Sequence, residues 1–431
     1  MTNLAIPQGK GNVPVTSGGG VTPIVLRDYQ TKGMDMVRRA FGSRQPDGAA
    51  THSVLLVAPT GAGKGTLAAY ALTEGARKGR RSLFVVHRRE ILRDQYGRLL
   101  KAGAPCGMIL PGEPYDPDAL IQVCSVQTLF ARGHRPPADF VFWDEAHHAA
   151  ARSYRDIRNA YPKAKHLGAS ATPQRGDRTA LGDVFQEMIV IASPSELTAR
   201  GFLVPCAAFA PDHNLGENLA QDPVQAYIER GEGKRAFVFT DRRVIANDIA
   251  ERFRQAGIDA VAIDAKTPEP VRRLQLEMFR RGQIRIVVNV NTMTEGVDIP
   301  EAKVCILAKK CATLAVYLQA VGRVLRPAEG EGNAILIDLC GNLHIHKLPG
   351  DDRLFSLTGK PISNVEEEAE DELLDCPAGC GATVRSMHIA ESGPGCPGCG
   401  WKREARPMAA ILDERLHAYG EQLPLPFAVN S

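Results

Sequence analysis

Ser53-Val54-Leu55-Leu56-Val57 runs directly into Ala58-Pro59-Thr60-Gly61-Ala62-Gly63-Lys64. The first five residues read as a buried strand, and Lys64–Arg77 has the apolar spacing of a helix. A glycine-bearing loop between a strand and a helix turns backbone N–H groups toward a phosphate, and the helix N-terminus adds a favourable potential. Gly61 and Gly63 supply the backbone freedom, and Lys64 offers a point charge to β- and γ-phosphates. A glycine turn with a surface lysine would look the same in isolation; the strand–loop–helix setting gives the pattern its specificity.

Outward from this loop, short apolar runs alternate with amphipathic segments twice over. In the first half the expected strands are 53–57, 82–86, 121–124, 140–143 and 166–169, with helices over 64–77 and 88–101. The second half repeats the design with strands over 236–240, 260–263, 285–290, 304–307 and 334–339. Helices near 242–255, 269–281 and 314–324 fill its gaps. Apolar strands alternating with helices predict parallel α/β sheets, and two such series predict two domains. The join falls near 196–205, where Gly201 and Pro205 punctuate the chain. The expected organisation is a disordered leader (1–22), domain 1 (23–200), domain 2 (201–358), an acidic linker (359–373), a cysteine module (374–403) and a tail (404–431). The tail carries a short helical pattern over 409–419.

Composition sets limits. The 431 residues, 44% hydrophobic and 23% charged, suit a soluble globular protein of two or three domains. No apolar run approaches the roughly 18 residues that span a bilayer, and the N-terminus lacks signal-peptide features, so a cytoplasmic location is expected. The net charge of +3 conceals a split. Glu366, Glu367, Glu368, Glu370, Asp371, Glu372 and Asp375 are all negative, and without them the rest of the chain carries +10. A basic body with an acidic insert suits nucleic-acid binding through phosphate contacts, although charge alone fits a solvated surface as well.

Asp144-Glu145-Ala146-His147 closes the apolar run 140–143. Adjacent acids at a strand end are poor packing but useful chemistry: Asp144 can hold Mg²⁺ through water, and Glu145 can deprotonate an attacking water. Arg323 and Arg326 lie three apart on one helix face and can reach across a cleft to a γ-phosphate. Singly, these are an acidic loop and a basic helix face; together with the glycine loop they describe a nucleotide cleft.

With these residues in place, the chain resembles a superfamily 2 helicase of the DEAH type over about 24–350, a resemblance that implies two tandem RecA-like domains. Leu26-Arg27-Asp28-Tyr29-Gln30 resembles the adenine-reading Q motif, with Arg27 and Gln30 as nucleotide contacts. Pro59, Thr60, Gly61, Ala62, Gly63, Lys64, Gly65 and Thr66 fall in or beside motif I. Val86–Glu90 is similar to motif Ia, and Ser125–Leu129 to motif Ib, which in the family contacts the nucleic-acid backbone. Asp144–His147 matches motif II, and Ser170-Ala171-Thr172 motif III. Val238-Phe239-Thr240 resembles motif IV, and Thr294–Asp298 motif V, with Gly296 and Asp298 near the nucleotide. Gln319–Arg326 matches motif VI. The likeness implies that Lys64, Asp144, Glu145, Arg323 and Arg326 are catalytic. It implies too that His147, Ser170, Thr172 and Gln319 couple hydrolysis to domain closure, His147 meeting Gln319 across the cleft. Gly341-Asn342-Leu343-His344 and the cysteine-rich tail are similar to the RadD group of bacterial and phage helicases, which favours DNA over RNA.

Gly65 departs from the pattern, because the family places there a Thr or Ser whose hydroxyl binds Mg²⁺. Thr66 lies one helical step of about 100° away. Either the loop opens and Thr66 substitutes, or Asp144 and waters hold the metal, and ATP hydrolysis is expected to be slow or demanding of Mg²⁺.

Cys376-x₃-Cys380 and Cys396-x₂-Cys399, fifteen residues apart, have the spacing of one tetrahedral Zn²⁺ site. Disulfides are the competing reading, disfavoured in the cytoplasm. The expected zinc ribbon is structural and can grip nucleic acid or, like the acidic linker, a protein partner. The six scattered cysteines read as buried free thiols, and His344 and His346 as surface residues of an extended run.

Overall fold

The computed structural model describes residues 22–113, 115–132, 135–149, 151–173, 180–290, 299–358, 373–375, 383–385, 411–412 and 414–419. Thr294–Asp298 and the four clustered cysteines lie outside the described residues.

The first half forms a seven-stranded parallel sheet. Its strands are β1 (Ser53–Val57), β2 (Ser82–Val86), β3 (Cys106–Ile109), β4 (Ile121–Ser125), β5 (Phe140–Trp143), β6 (Lys165–Ser170) and β7 (Glu187–Val190), in the order β3-β4-β2-β5-β6-β1-β7. Helices α1 (Asp28–Gly42), α2 (Lys64–Arg77), α3 (Arg89–Lys101), α4 (Val126–Arg132), α5 (Arg152–Asn159) and α6 (Pro194–Ala199) accompany it. Strand β1, paired between β6 and β7, is buried along its whole length, as expected of a strand covered on both faces. In a parallel sheet every crossover returns the chain to the same side, so the loops after β1, β5 and β6 share one edge. That edge carries 58–64, 144–147 and 170–172.

The second half repeats the plan. Strands β8 (Cys206–Ala210), β9 (Ala236–Thr240), β10 (Ala260–Ile263), β11 (Ile286–Val290), β12 (Val304–Leu307) and β13 (Ala334–Asp338) pair in the order β10-β11-β9-β12-β13-β8. Helices α7 (Pro223–Arg230), α8 (Arg243–Gln255), α9 (Glu269–Arg280), α10 (Leu314–Val321) and the single turn α11 (Leu343–His346) complete it. A short antiparallel pair, β14 (Leu373–Asp375) with β15 (Thr383–Arg385), stands apart from both sheets, and β16 (His417–Tyr419) pairs antiparallel with β8 at the sheet edge.

Three expectations are corrected. Within the helical pattern at 409–419 the described residues form no helix: Ile411 bridges Leu219, and β16 covers the open edge of β8. An exposed strand edge leaves a row of unpaired backbone groups, and satisfying them outweighs weak helical periodicity. His344 and His346 lie in the helical turn α11, not an extended run, and His346 is buried with Nε2 2.8 Å from the Cys311 carbonyl oxygen. Finally, Cys106 and Cys206 are only half-buried, whereas Cys124, Cys305, Cys311 and Cys340 are buried as read. Strands β3, β7 and β8 were absent from the sequence reading, since four- and five-residue edge segments carry little periodicity.

The chain recrosses between the halves after α11. Asp352 accepts hydrogen bonds from Ser195 N (3.0 Å) and Oγ (2.6 Å) at the start of α6, and the Leu357 carbonyl accepts from Gly182 N at 2.9 Å. Phe355 and Leu357 pack on the core of the first sheet. No helix among the described residues is long and apolar enough to cross a membrane.

Candidate nucleotide cleft

The loop after β1 owes its shape to its glycines. Gly61 (φ 91°) and Gly63 (φ 83°) are in the left-handed region, which side chains disfavour. Ala58 N donates to Ser170 O at 3.0 Å, tying the loop to the end of β6. Tyr29 Oη and Gln30 Nε2 both donate to the Ala62 carbonyl, at 2.9 and 2.8 Å. Gln30 Oε1 accepts from Arg27 N at 2.9 Å, so this buried amide is committed on both sides to shaping the loop. Arg27 itself is exposed, its guanidinium 4.6 Å from the centre of the Phe202 ring, and Tyr29 lies against the same ring at 5.1 Å. Phe202 was not identified in the sequence; its signal, an aromatic after Gly201 at the domain join, has no motif to single it out.

Lys64 opens α2 and donates from Nζ to the Ala58 carbonyl at 3.3 Å. Burial lowers its pKa; Glu145 and Asp144 oppose that shift, whereas Arg326 and Arg323 add to it. Those five residues thus share one electrostatic neighbourhood, although Arg323 and Arg326 belong to the other half of the chain. Beside Lys64, Gly65 packs against α3: a Cβ built there would lie 3.5 Å from the Gln95 amide and 3.7 Å from Arg98 Nε, ordinary contacts. The Gln95 amide, turned with its nitrogen toward α2, donates to Gly65 O at 3.2 Å and accepts from Ala69 N at 3.1 Å. Thr66 Oγ1 stays near the loop, 3.8 Å from where a Gly63 Cβ would sit.

Asp144 follows β5, and its Oδ1 accepts from Glu145 N at 3.1 Å. Glu145 adopts a left-handed backbone (φ 48°), rare for a residue with a side chain and concentrated at functional sites. Its Oε2 is buried, accepts no hydrogen bond, and lies 3.4 Å from His147 Nδ1. Burial pushes the carboxyl up, but His147, Lys64 and Arg323 outweigh it and hold Glu145 well below the usual carboxylate range. His147 Nδ1 also lies 3.3 Å from Ser170 Oγ, which donates to the Thr172 carbonyl at 2.6 Å and accepts from Thr172 N at 3.1 Å. Motifs II and III are therefore linked within the first sheet. Gln319 is buried on α10.

The second half closes on the loop by contact. A Cβ on Gly322 would stand 2.4 Å from Thr60 Cβ and Cγ2, so only glycine lets the Thr60 side chain approach this closely. Arg326 Cγ lies 3.4 Å from the place a Gly61 Cβ would take, and Leu203 Cδ2 2.8 Å from it. Pro59, Thr60, Leu203, Leu318, Gly322 and Leu325 enclose a cavity of about 60 Å³ at this junction. The two arginines do not share a helix face as expected: α10 ends at Val321, and Arg323, buried in the cleft, and Arg326, partly exposed, lie in the turns beyond it. Among the described residues, no cluster of three or more His, Cys, Asp or Glu could hold a metal ion. Among the described residues, the acids that act on Lys64 are the adjacent pair Asp144 and Glu145.

A phosphate-binding loop on one parallel sheet, met by arginines from a second sheet of like build, defines a two-domain nucleotide-driven motor of RecA-like architecture. Residues 23–175 match the family described as type III restriction enzyme, res subunit, and residues 220–328 match the helicase conserved C-terminal domain. The chain belongs to the superfamily 2 helicases, a family of ATP-hydrolysing enzymes. A 51.5 kDa protein of a Lactococcus phage is 29% identical over 315 residues, covering 68% of this chain and 67% of the relative. IRC3 of Saccharomyces cerevisiae, described as a candidate ATP-dependent helicase, is 25% identical over 362 residues, covering 74% of this chain. This chain spans 52% of the length of that yeast relative. A fragment of a candidate HsdR subunit of a type I restriction enzyme from Vibrio vulnificus shares the fold with a TM-score of 0.59 at 19% identity, over 78% of this chain and 67% of that one.

Proposed function

We propose that this chain is an ATP-driven helicase or translocase that acts on nucleic acid, with DNA favoured, in repair, recombination or replication. The observation that carries the reading is the packing of Gly322 on Thr60, which brings Arg323 and Arg326 into the field of Lys64 and Glu145. A nucleotide held there would touch both halves, so its hydrolysis would change how they fit.

ATP and Mg²⁺ suit the residues present: two left-handed glycines shape an anion cradle, Lys64 faces it, and Glu145 Oε2 is a buried acceptor with no hydrogen bond. Asp144 would hold Mg²⁺ through water, and the ion would neutralise charge on the β- and γ-phosphate oxygens. Lys64 would bind those oxygens through its ammonium, and Arg27 would flank the base, while Gln30 would hold the loop that faces the phosphates. Glu145, ionised at neutral pH, would take the proton of the attacking water. Arg323 and Arg326 would stabilise charge on the phosphoryl group as it leaves ADP. His147, Ser170, Thr172 and Gln319 would carry the change to the domain interface.

DNA is favoured because the family matched over residues 23–175 is named for a restriction enzyme. The RadD-like ending supports the same choice. We also assign Cys376, Cys380, Cys396 and Cys399 to one structural Zn²⁺, with the ribbon or the acidic run before it as a candidate protein contact, and the protein to the cytoplasm. The test is ATP turnover titrated with single-stranded, duplex and forked DNA and with RNA. Stimulation by DNA that Lys64→Ala and Glu145→Gln abolish is expected; turnover indifferent to every nucleic acid would overturn the reading. Gly65 favours a second reading, an ATP-gated clamp, for which ATP-dependent DNA binding without turnover would decide. A third, the motor subunit of a restriction or recombination complex, requires a second chain for any cutting.

A further inference from the structure

Lys303 is fully buried, an unusual state for a lysine. It stands at the base of β12, where the Arg235 carbonyl accepts from Lys303 N at 3.0 Å and Ile335 N donates to the Lys303 carbonyl at 2.7 Å. Residues two apart on a strand share a face, so Lys303 continues the column of Cys305 and Leu307. Those two pack in one cluster with Tyr317, Ala320, Val321 and Val324 of the α10 segment. Where that apolar column ends, the Lys303 ammonium reaches the main chain and donates to the Arg326 carbonyl.

The need for a donor at that point follows from the backbone. Beyond α10 the chain continues in tight turns, Arg323 N to Ala320 O at 3.3 Å and Val324 N to Val321 O at 3.1 Å. Carbonyls past a helix end have no partner within the helix. Leu325 O is satisfied by Val204 N at 2.8 Å, from the segment joining the domains. Arg326 precedes Pro327, which restricts it to extended conformations and cannot itself donate. The Arg326 carbonyl is therefore held from outside its own segment, by Lys303.

We infer that Lys303 is a positioning residue for Arg326: by fixing the Arg326 peptide it sets where that guanidinium stands against the phosphate-binding loop. The inference rests on the proposed ATPase reading and adds a residue outside every motif that the sequence displays. Burial pushes the Lys303 pKa down to about 8, against the pull of Glu331 and Glu301 and with a further push from Lys234. Retaining a cation at that desolvation cost is accounted for by a contact that a shorter or apolar side chain could not make.

The experiment is a double-mutant cycle on the full chain, read as DNA-stimulated kcat, KM for ATP and thermal melting. Lys303→Met is expected to lower kcat about tenfold, with KM within about twofold and a cooperative melt retained. Lys303→Arg, which keeps the donor, should restore most of the rate. Added to Arg326→Ala, Lys303→Met should cost less than about twofold more, because the group it positions is already gone. Multiplicative losses, or an unchanged kcat in Lys303→Met, would overturn the inference while leaving the ATPase reading intact. If Arg326→Ala itself leaves kcat untouched, the finger assignment and this inference fall together. Should Lys303→Met not fold, Lys303→Gln, whose shorter side chain does not reach the Arg326 carbonyl, carries the same cycle.

Discussion

Gly65→Thr places a hydroxyl where superfamily 2 helicases keep one, and the structure lets its effects be separated. The site accepts a side chain: the nearest contacts of a Cβ there, 3.5 and 3.7 Å, are ordinary van der Waals distances, so no displacement of α3 is required. Relieving a helical glycine contributes up to about 1 kcal/mol for Ala and less for Thr, so none of these variants should unfold the domain. A contact between a hydroxyl and a charged partner is worth about 1.5–3 kcal/mol, and 1.4 kcal/mol is a factor of ten. The half-saturating Mg²⁺ concentration for DNA-stimulated ATP turnover should therefore fall about tenfold in Gly65→Thr and Gly65→Ser, and stay put in Gly65→Ala. The structure also supplies a rival for the hydroxyl. Arg98 Nε is buried without a hydrogen-bond partner, 3.7 Å from the same Cβ position. A hydroxyl captured there would give Thr and Ser the Mg²⁺ dependence of Ala. That result, or an Ala variant that gains as much as Ser, would refute the reasoning.

Gly322→Ala should drive Thr60 and the α10 segment apart, given the 2.4 Å approach its methyl would make. DNA-stimulated kcat should drop at least tenfold with both domains folded, and Thr60→Gly in the same chain should recover part of it; an unaffected kcat would show that this contact is not used in turnover. His166 is neutral in the fold: Trp143 Nε1 donates to its Nδ1 at 3.1 Å, Nε2 faces the Tyr161 carbonyl at 3.0 Å, and burial lowers its pKa to about 4. The unfolded chain therefore binds the extra proton first, so the His166 contribution is complete above about pH 6.5 and is lost as pH falls toward 4. The loss should reach about 2 kcal/mol by pH 5, visible as a steeper acid dependence in urea unfolding than His166→Gln shows. Asp338 has the opposite sign: burial raises its pKa to about 6, so its contribution favours the fold below about pH 4 and is lost as pH rises through 6. Asp338→Asn should remove up to about 3 kcal/mol of that variation, and unfolding curves with equal pH slopes for the two proteins would exclude it. Metal analysis of the purified chain should find one Zn²⁺, lost on Cys376→Ser with Cys396→Ser; a zinc-free wild type would reject the ribbon.

Much of the cleft was readable from one dimension because its parts are local. A strand, a glycine loop and a helix need only their own residues to form a phosphate cradle, so 53–77 announces itself. The alternating pattern likewise gave the central strands of both sheets, which are buried on both faces and therefore continuously apolar. Edge strands were missed for the converse reason. β16 exists because β8 has an open edge, a fact about the sheet and not about His417–Tyr419. His346 looked like a surface residue until the Cys311 carbonyl was brought to it.

The sequence by itself determined that a phosphate loop, an acidic pair and two arginines occur in order, the loop and the acids each at the end of a strand. Only the tertiary structure decided how they meet. It assigned Gln30 and Tyr29 to holding the loop, required glycine at 322 because Thr60 lies against it, and buried Lys303 where the Arg326 peptide needs a donor. Local chemistry is written in neighbouring residues. Contacts between residues hundreds of positions apart depend on which surfaces the two sheets turn toward each other, and no periodicity encodes that.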